Sequence, residues 1–140
     1  MNIALDKPHL IIWASIVGFV GLALINFKRN IDLQLHDTYI VTTCLHLGIA
    51  ISILLASIGF LYWLARFRKL IPWMTLFHIV ATLVSFVGFI ILLLTMNGGV
   101  ERDFAVFHFG NIAGMVLVNL FLVSQVILLI NILIAFFRKP

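Results

Sequence analysis

Two side chains able to bind a transition metal, Cys44 and His46, stand two residues apart at the start of a long apolar run. On a helix of 3.6 residues per turn that spacing points them about 200° apart, so one helix would address two different faces at one depth. Imidazole and thiolate are both ligands for haem iron. A thiol in apolar surroundings stays protonated, so Cys44 also reads as a packed small residue. Just upstream, His36 and Asp37 form a second pair. Asp37 is a hard oxygen donor of the kind magnesium takes, although one carboxylate and one imidazole make an incomplete site. Asp37 has a structural reading too: ahead of a helical run, it would cap the unpaired N–H groups of the first turn. Tyr39 beside them fits an interfacial aromatic anchor.

The other histidines are scattered. His78 should lie within about two turns of one end of its segment, and His108 near the opposite membrane face, too far apart to share one metal ion. His9 falls at a boundary where an amphipathic ring is ordinary. His78 shows no evident partner in the sequence and is expected to be a satisfied packing residue.

The elements that carry these residues are long apolar helices. Hydrophobic residues make up 64% of the 140 positions and charged residues 10%, with a mean hydropathy of +1.22. A soluble domain has about 45–50% apolar residues. The charges cluster between apolar runs long enough to cross a bilayer core of about 30 Å. The expectation is an all-α membrane protein: a single membrane domain over 1–140, with four transmembrane helices at about 8–27, 38–65, 72–96 and 106–137 packed as a bundle. Pro8 and Pro72 suit first-turn positions, and Asn97-Gly98-Gly99 is a turn signal. The basic balance of +4 reflects topology, and a nucleic-acid partner is not expected. Met1–Pro8 carries Asp6 beside Lys7 and does not read as a cleavable signal. One cysteine excludes an internal disulfide framework and a Cys-rich metal site.

Lys7, Arg66, Arg68, Lys69, Arg138 and Lys139 fall on one side of such a bundle; Lys28, Arg29 and Arg102 fall on the other. The richer side is the cytoplasmic one, which puts both termini there. Asp32, Asp37, Glu101 and Asp103 then lie outside, with the His36-Asp37 loop on the outer side of an inner (cytoplasmic) membrane. Gly48, Ser52 and Ala56 recur every four positions, as do Gly110 and Gly114; such small residues let helix backbones approach closely in lipid. The last segment is unusually polar. Asn111 and Asn119 share one face, Ser124 and Asn131 another, and Gln125 adds a fourth carboxamide. Interhelical hydrogen bonds explain such residues, and a partner-binding face is the economical functional reading.

The run Leu35-His36-Asp37-Thr38-Tyr39-Ile40-Val41-Thr42-Thr43-Cys44-Leu45-His46 resembles a signature of haem-copper oxidase subunit I. In that family an aspartate-containing cap at the membrane surface leads into a helix with two haem-ligating histidines. Asp32 at a similar spacing, Gly59-Phe60-Leu61-Tyr62-Trp63 and the Trp73-to-His78 stretch extend the likeness. The four segments look like the last four of the family's twelve helices. The resemblance implies His46 as an axial ligand of a low-spin haem, Cys44 in place of the proximal histidine of the oxygen-binding haem, and His36 with Asp37 near a magnesium ion.

The departures decide the functional expectation. The family's copper histidines, its redox tyrosine and the second low-spin ligand lie on helices with no counterpart here. Oxygen reduction by this chain alone is therefore not expected, and proton pumping lacks a buried carboxylate relay. The leading expectation is a noncatalytic accessory subunit of a larger respiratory complex, in contact with the lipid bilayer and with other membrane subunits or further copies of itself. The alternative is a haem-binding electron carrier in which His46 supplies one axial ligand and a partner chain the other. A channel or transporter has little support, because internal repeats and broken-helix signals are absent.

Overall fold

A computed structural model describes residues 7–35, 38–96 and 104–138, with side chains described for all of these except 32–35, 38–40, 96 and 104–108. Helix α1 spans Pro8–Ile25, strands β1 and β2 span Asn30–Leu35 and Thr38–Thr43, and α2 spans Cys44–Leu64 with a 3-10 turn at Ala65–Phe67. Helices α3 and α4 span Pro72–Met96 and Phe104–Phe137. All four helices contain a stretch long and apolar enough to cross a membrane. At 1.5 Å per residue α2 is about 32 Å long, close to the thickness of a bilayer core. The chain forms two compact units, Met1–Phe67 and Arg68–Pro140, and each is a helical hairpin.

The first unit departs from the expected helix over 38–65. Thr38–Thr43 is a strand, paired antiparallel with Asn30–Leu35 in a register that runs from Asn30↔Thr43 to Leu35↔Thr38. The physical reason lies in the residues. Thr38-Tyr39-Ile40-Val41-Thr42-Thr43 is almost wholly β-branched or aromatic, which favours the pleated conformation over the helix. Asn30-Ile31-Asp32-Leu33-Gln34-Leu35 alternates polar and apolar with the strand period of two. Helix α2 therefore begins at Cys44. Its N-cap is Thr43, whose hydroxyl accepts from the His46 N–H, and the cap reading of Asp37 is corrected accordingly. His36 and Asp37 themselves lie outside the described residues, so the metal reading of that pair does too.

Helices α1 and α2 pack antiparallel through two glycines. A Cβ on Gly48 would collide with the Cβ of Ala23, and one on Gly59 would collide with the indole of Trp13. As positions rise along α2, their partners on α1 fall, which is the mark of a hairpin. The buried side of α2 is Cys44, Gly48, Ile51, Leu55, Ile58, Gly59 and Tyr62, and α1 answers with Ile12, Phe19 and Ala23. Of the small-residue series, Gly48 is buried, Ser52 is intermediate and Ala56 is exposed. Steps of four residues advance by about 400°, so the stripe drifts by about 40° per step and leaves the contact after two. A seven-residue spacing stays on the contact face longer, as Gly48 and Leu55 do.

The second unit is built on polar pairs. On α3, Thr75, His78, Thr82 and Ser85 are buried; on α4, Ser124 and Asn131 are fully buried along with Leu128 and Ala135. Leu117 packs on Gly88 and Leu92 near Gly114, again in antiparallel order. Apolar side chains cover most of the exposed helix surface in both units. In lipid such a surface is at rest, because the tails are as apolar as the side chains.

Candidate functional site

The Cys44-His46 pair sits at the first turn of α2, not two turns inside a helix that began at Thr38. The two side chains diverge as helical geometry requires. Cys44 is a free thiol packed in the interior, and its N–H donates to the Arg29 carbonyl at 3.0 Å, tying the start of α2 to the approach to β1. His46 is exposed. Its Nδ1 lies 2.7 Å from Thr43 Oγ1, so one hydroxyl holds both the backbone and the ring of His46. That contact leaves Nε2 as the nitrogen available to a metal. A metal-ligating histidine characteristically has its other ring nitrogen held by an oxygen in this way. Among the described residues, no group of three or more His, Cys, Asp or Glu gathers as a metal site. What the first unit presents at this point is one imidazole oriented by the Thr43 hydroxyl.

His78 belongs to a buried polar chain in the second unit, and the sequence expectation that it lacked a partner is corrected. Its Nε2 lies 3.3 Å from Thr82 Oγ1, the hydroxyl to which Gln125 on α4 also donates. Thr82 Oγ1 is 3.1 Å from Ser124 Oγ. The Gln125 amide donates to Ser124 Oγ at 3.1 Å and to Thr82 Oγ1 at 3.4 Å. Nearer the Pro72 end, Asn131 reaches across from α4. Its Oδ1 accepts from the Ile71 N–H at 2.8 Å, and its Nδ2 donates to Thr75 Oγ1 at 3.0 Å and to the Ile71 carbonyl at 3.4 Å. Asn131 thereby satisfies, from a neighbouring helix, the backbone N–H of Ile71, the residue that precedes α3.

Thr75, Thr82 and Ser85 were not singled out from the sequence. A signal for them existed: Thr75, His78, Thr82 and Ser85 fall at intervals of three and four, a polar stripe at the helical period inside an apolar segment. The likeness of Ser and Thr to ordinary membrane-helix residues hid it.

The remaining sequence-chosen positions divide between inside and outside. Gly110 is buried and Gly114 half-buried, whereas Asn111 and Asn119 are exposed. Asn119 donates to the Met115 carbonyl of its own helix at 2.8 Å. At the end of α2, the Arg66 guanidinium lies 4.4 Å from the Trp63 ring and 4.5 Å from the Phe67 ring. Arg68 lies 5.3 Å from the Phe136 ring. Basic side chains over aromatic faces suit helix ends at a membrane boundary. His9 meets Trp13 edge to face at 5.4 Å, and His108 has no described side chain.

No protein-family model, curated protein or solved structure matches this chain.

Proposed function

We propose that the chain is a noncatalytic subunit of a larger membrane complex, related in architecture to the C-terminal four helices of haem-copper oxidase subunit I. On this reading it sits in the inner (cytoplasmic) membrane with both termini cytoplasmic and the β1–β2 hairpin outside. The observation that carries it is the exposure of Asn111 and Asn119 on α4. The hairpin uses its other α4 polar groups internally: Ser124, Gln125 and Asn131 all bond to α3. Two carboxamides left facing outwards among Ile112, Met115, Val116 and Leu122 are unfavourable against lipid and favourable against another polar helix. Gentle solubilisation followed by native electrophoresis tests this. The wild-type chain should migrate in an assembly well above its 15.8 kDa mass, and an Asn111→Leu/Asn119→Leu double variant should be released from it. A wild-type chain that runs as a single copy in mild detergent overturns the proposal.

A second reading is favoured by the Thr43–His46 contact. A histidine held through Nδ1 by a hydroxyl and exposed on its other side is prepared to act as a haem axial ligand. Haem, where bound, would supply one-electron chemistry. The chain's own part would be to present Nε2 of His46, fix the ring plane through Thr43, and keep Cys44 packed away. Oxidised and dithionite-reduced visible spectra of the purified complex, compared with a His46→Ala variant, decide this reading. Reduced α-bands that vanish in the variant support it, and a colourless wild-type complex removes it.

A further inference from the structure

Helix α4 carries two seams that repeat every seven residues, and its hairpin uses one of them. The inner seam runs through Ser124, Leu128, Asn131 and Ala135, all buried. Val126 and Leu133 each stand two residues beyond a member of that seam, which turns them about 200° away from it. With Ile112 and Asn119 they form a row of exposed residues seven apart. Met115, Leu122, Leu129 and Phe136 form a second exposed row, each three residues further along. The apolar members of both rows are between 49% and 68% exposed. Alternating steps of three and four are the knobs-into-holes period by which two helices pack along their whole length. In an apolar helix the period alone selects nothing; the residue types do. Ile112 and Val126 are β-branched in one row, and Leu122 and Leu129 are leucines in the other, the distribution that favours two parallel strands. A single asparagine, Asn119, interrupts the first row, and such a residue fixes register and copy number in a helical pair.

We propose that a second copy of this chain docks on the outer seam, α4 against α4 across a two-fold axis along the membrane normal. The proposal rests on the reading that the outward carboxamides of α4 meet another membrane protein, and it names that protein. Identical chains inserted in the same orientation bring position 119 of one copy to position 119 of the other at the same depth. A carboxamide is self-complementary, with two N–H donors and an acceptor oxygen. Asn119 spends one N–H on the Met115 carbonyl of its own helix. That leaves its Oδ1 and its other N–H without a partner among the described residues, so two copies of Asn119 can exchange a pair of hydrogen bonds out of contact with lipid. A different partner would need an unrelated polar group at that depth, whereas a second copy brings one by symmetry. Asn111, exposed beside Ile112, flanks the same seam, so both outward carboxamides fall on this face. The two rows together expose on the order of 800 Å² per copy, about one partner's share of a stable interface.

The test is disulfide trapping in native membranes, using the full chain in a Cys44→Ala background with one new cysteine per variant. Met115→Cys, Leu122→Cys, Val126→Cys and Leu129→Cys all keep Asn119, and each should give an adduct of twice the chain's mass on mild oxidation with copper phenanthroline. Val84→Cys on α3 and Ile134→Cys on α4 are exposed but off the seam, and should stay monomeric. Adding Asn119→Leu to Leu122→Cys should weaken association about eight-fold, the effect of two interhelical hydrogen bonds at their measured average. That change is read from the trapped fraction as the chain is diluted with lipid in vesicles. Native electrophoresis of the same membranes separates this proposal from the reading beneath it. No trapped dimer from a chain that still migrates in a large assembly means that a different subunit covers α4; it overturns the second copy and leaves the proposed function standing. A chain that runs as a single copy overturns both. Trapping from Val84→Cys and Ile134→Cys as readily as from the seam, or an Asn119→Leu change without effect, also overturns the docking of α4 on α4.

Discussion

Replacing Asn131 with leucine removes the strongest polar tie between α3 and α4 while keeping a side chain of similar size. The carboxamide is fully buried and makes contacts at 2.8, 3.0 and 3.4 Å to Ile71 and Thr75. Hydrogen bonds between membrane helices average about 0.6 kcal/mol in double-mutant cycles, so the two shorter contacts amount to about 1.2 kcal/mol. The Ile71 N–H then loses its acceptor, and because Ile71 is half-buried the cost stays near the low end, about 1 kcal/mol, of that for an unpaired buried donor. The expected loss is therefore about 2 kcal/mol, or some thirty-fold in the folding equilibrium. The assay is reversible unfolding in mixed micelles titrated with dodecyl sulfate, followed by helical ellipticity. Asn119→Leu is the matched control. That carboxamide is exposed and bonds only within its own helix, so the isolated chain should change by less than about 0.5 kcal/mol. If Asn131→Leu is as stable as the wild type, or if the two variants lose equal stability, the role given to the Asn131 bonds is wrong.

The other expectations address packing in each hairpin. Gly48→Ala should destabilise the α1–α2 hairpin by about 1–3 kcal/mol through overpacking against Ala23, and adding Ala23→Gly should restore most of the loss in the same titration. Gly59→Ala should shift the tryptophan emission because the new methyl displaces the Trp13 indole. Thr82→Val and Ser124→Ala, measured singly and together, should show a coupling of about 0.6 kcal/mol, the average for such a pair. Cys44, 8% exposed, should react with a membrane-permeant maleimide slowly in micelles and fast once dodecyl sulfate unfolds the chain.

The four membrane-length helices were legible because length and apolar content alone specify them. Pro72 opens α3 where a missing N–H is harmless, and basic clusters follow α2 and α4. The β1–β2 hairpin was hidden by its context. Thr38–Thr43 adjoins an apolar run and was absorbed into it, although its β-branched content and the alternation in Asn30–Leu35 carry the strand signature. That error moved Cys44 and His46 from the start of the helix to its interior, which matters for any metal they would meet. Spacing did separate the two side chains correctly, because a 200° turn holds wherever the helix begins. The polar face of α4 also divided as its periodicity implied: Ser124 and Asn131 turn to α3, while Asn111 and Asn119 turn out. The Ser85 hydroxyl, buried without a hydrogen-bond partner among the described residues, was beyond reach of the sequence. Whether a serine bonds to its own helix depends on its rotamer, which no pattern of residue types encodes.

The central claim is that the outward carboxamides of α4 meet another membrane protein. The direct measurement is photo-crosslinking in intact membranes from a photoreactive amino acid at position 119, with one at the buried position 128 as reference. The account predicts one discrete adduct from position 119, with a mass that identifies either a different subunit or a second copy of this chain, and crosslinks from position 128 confined to the same chain. Lipid adducts alone at position 119 would show that α4 faces the bilayer there and would contradict the claim.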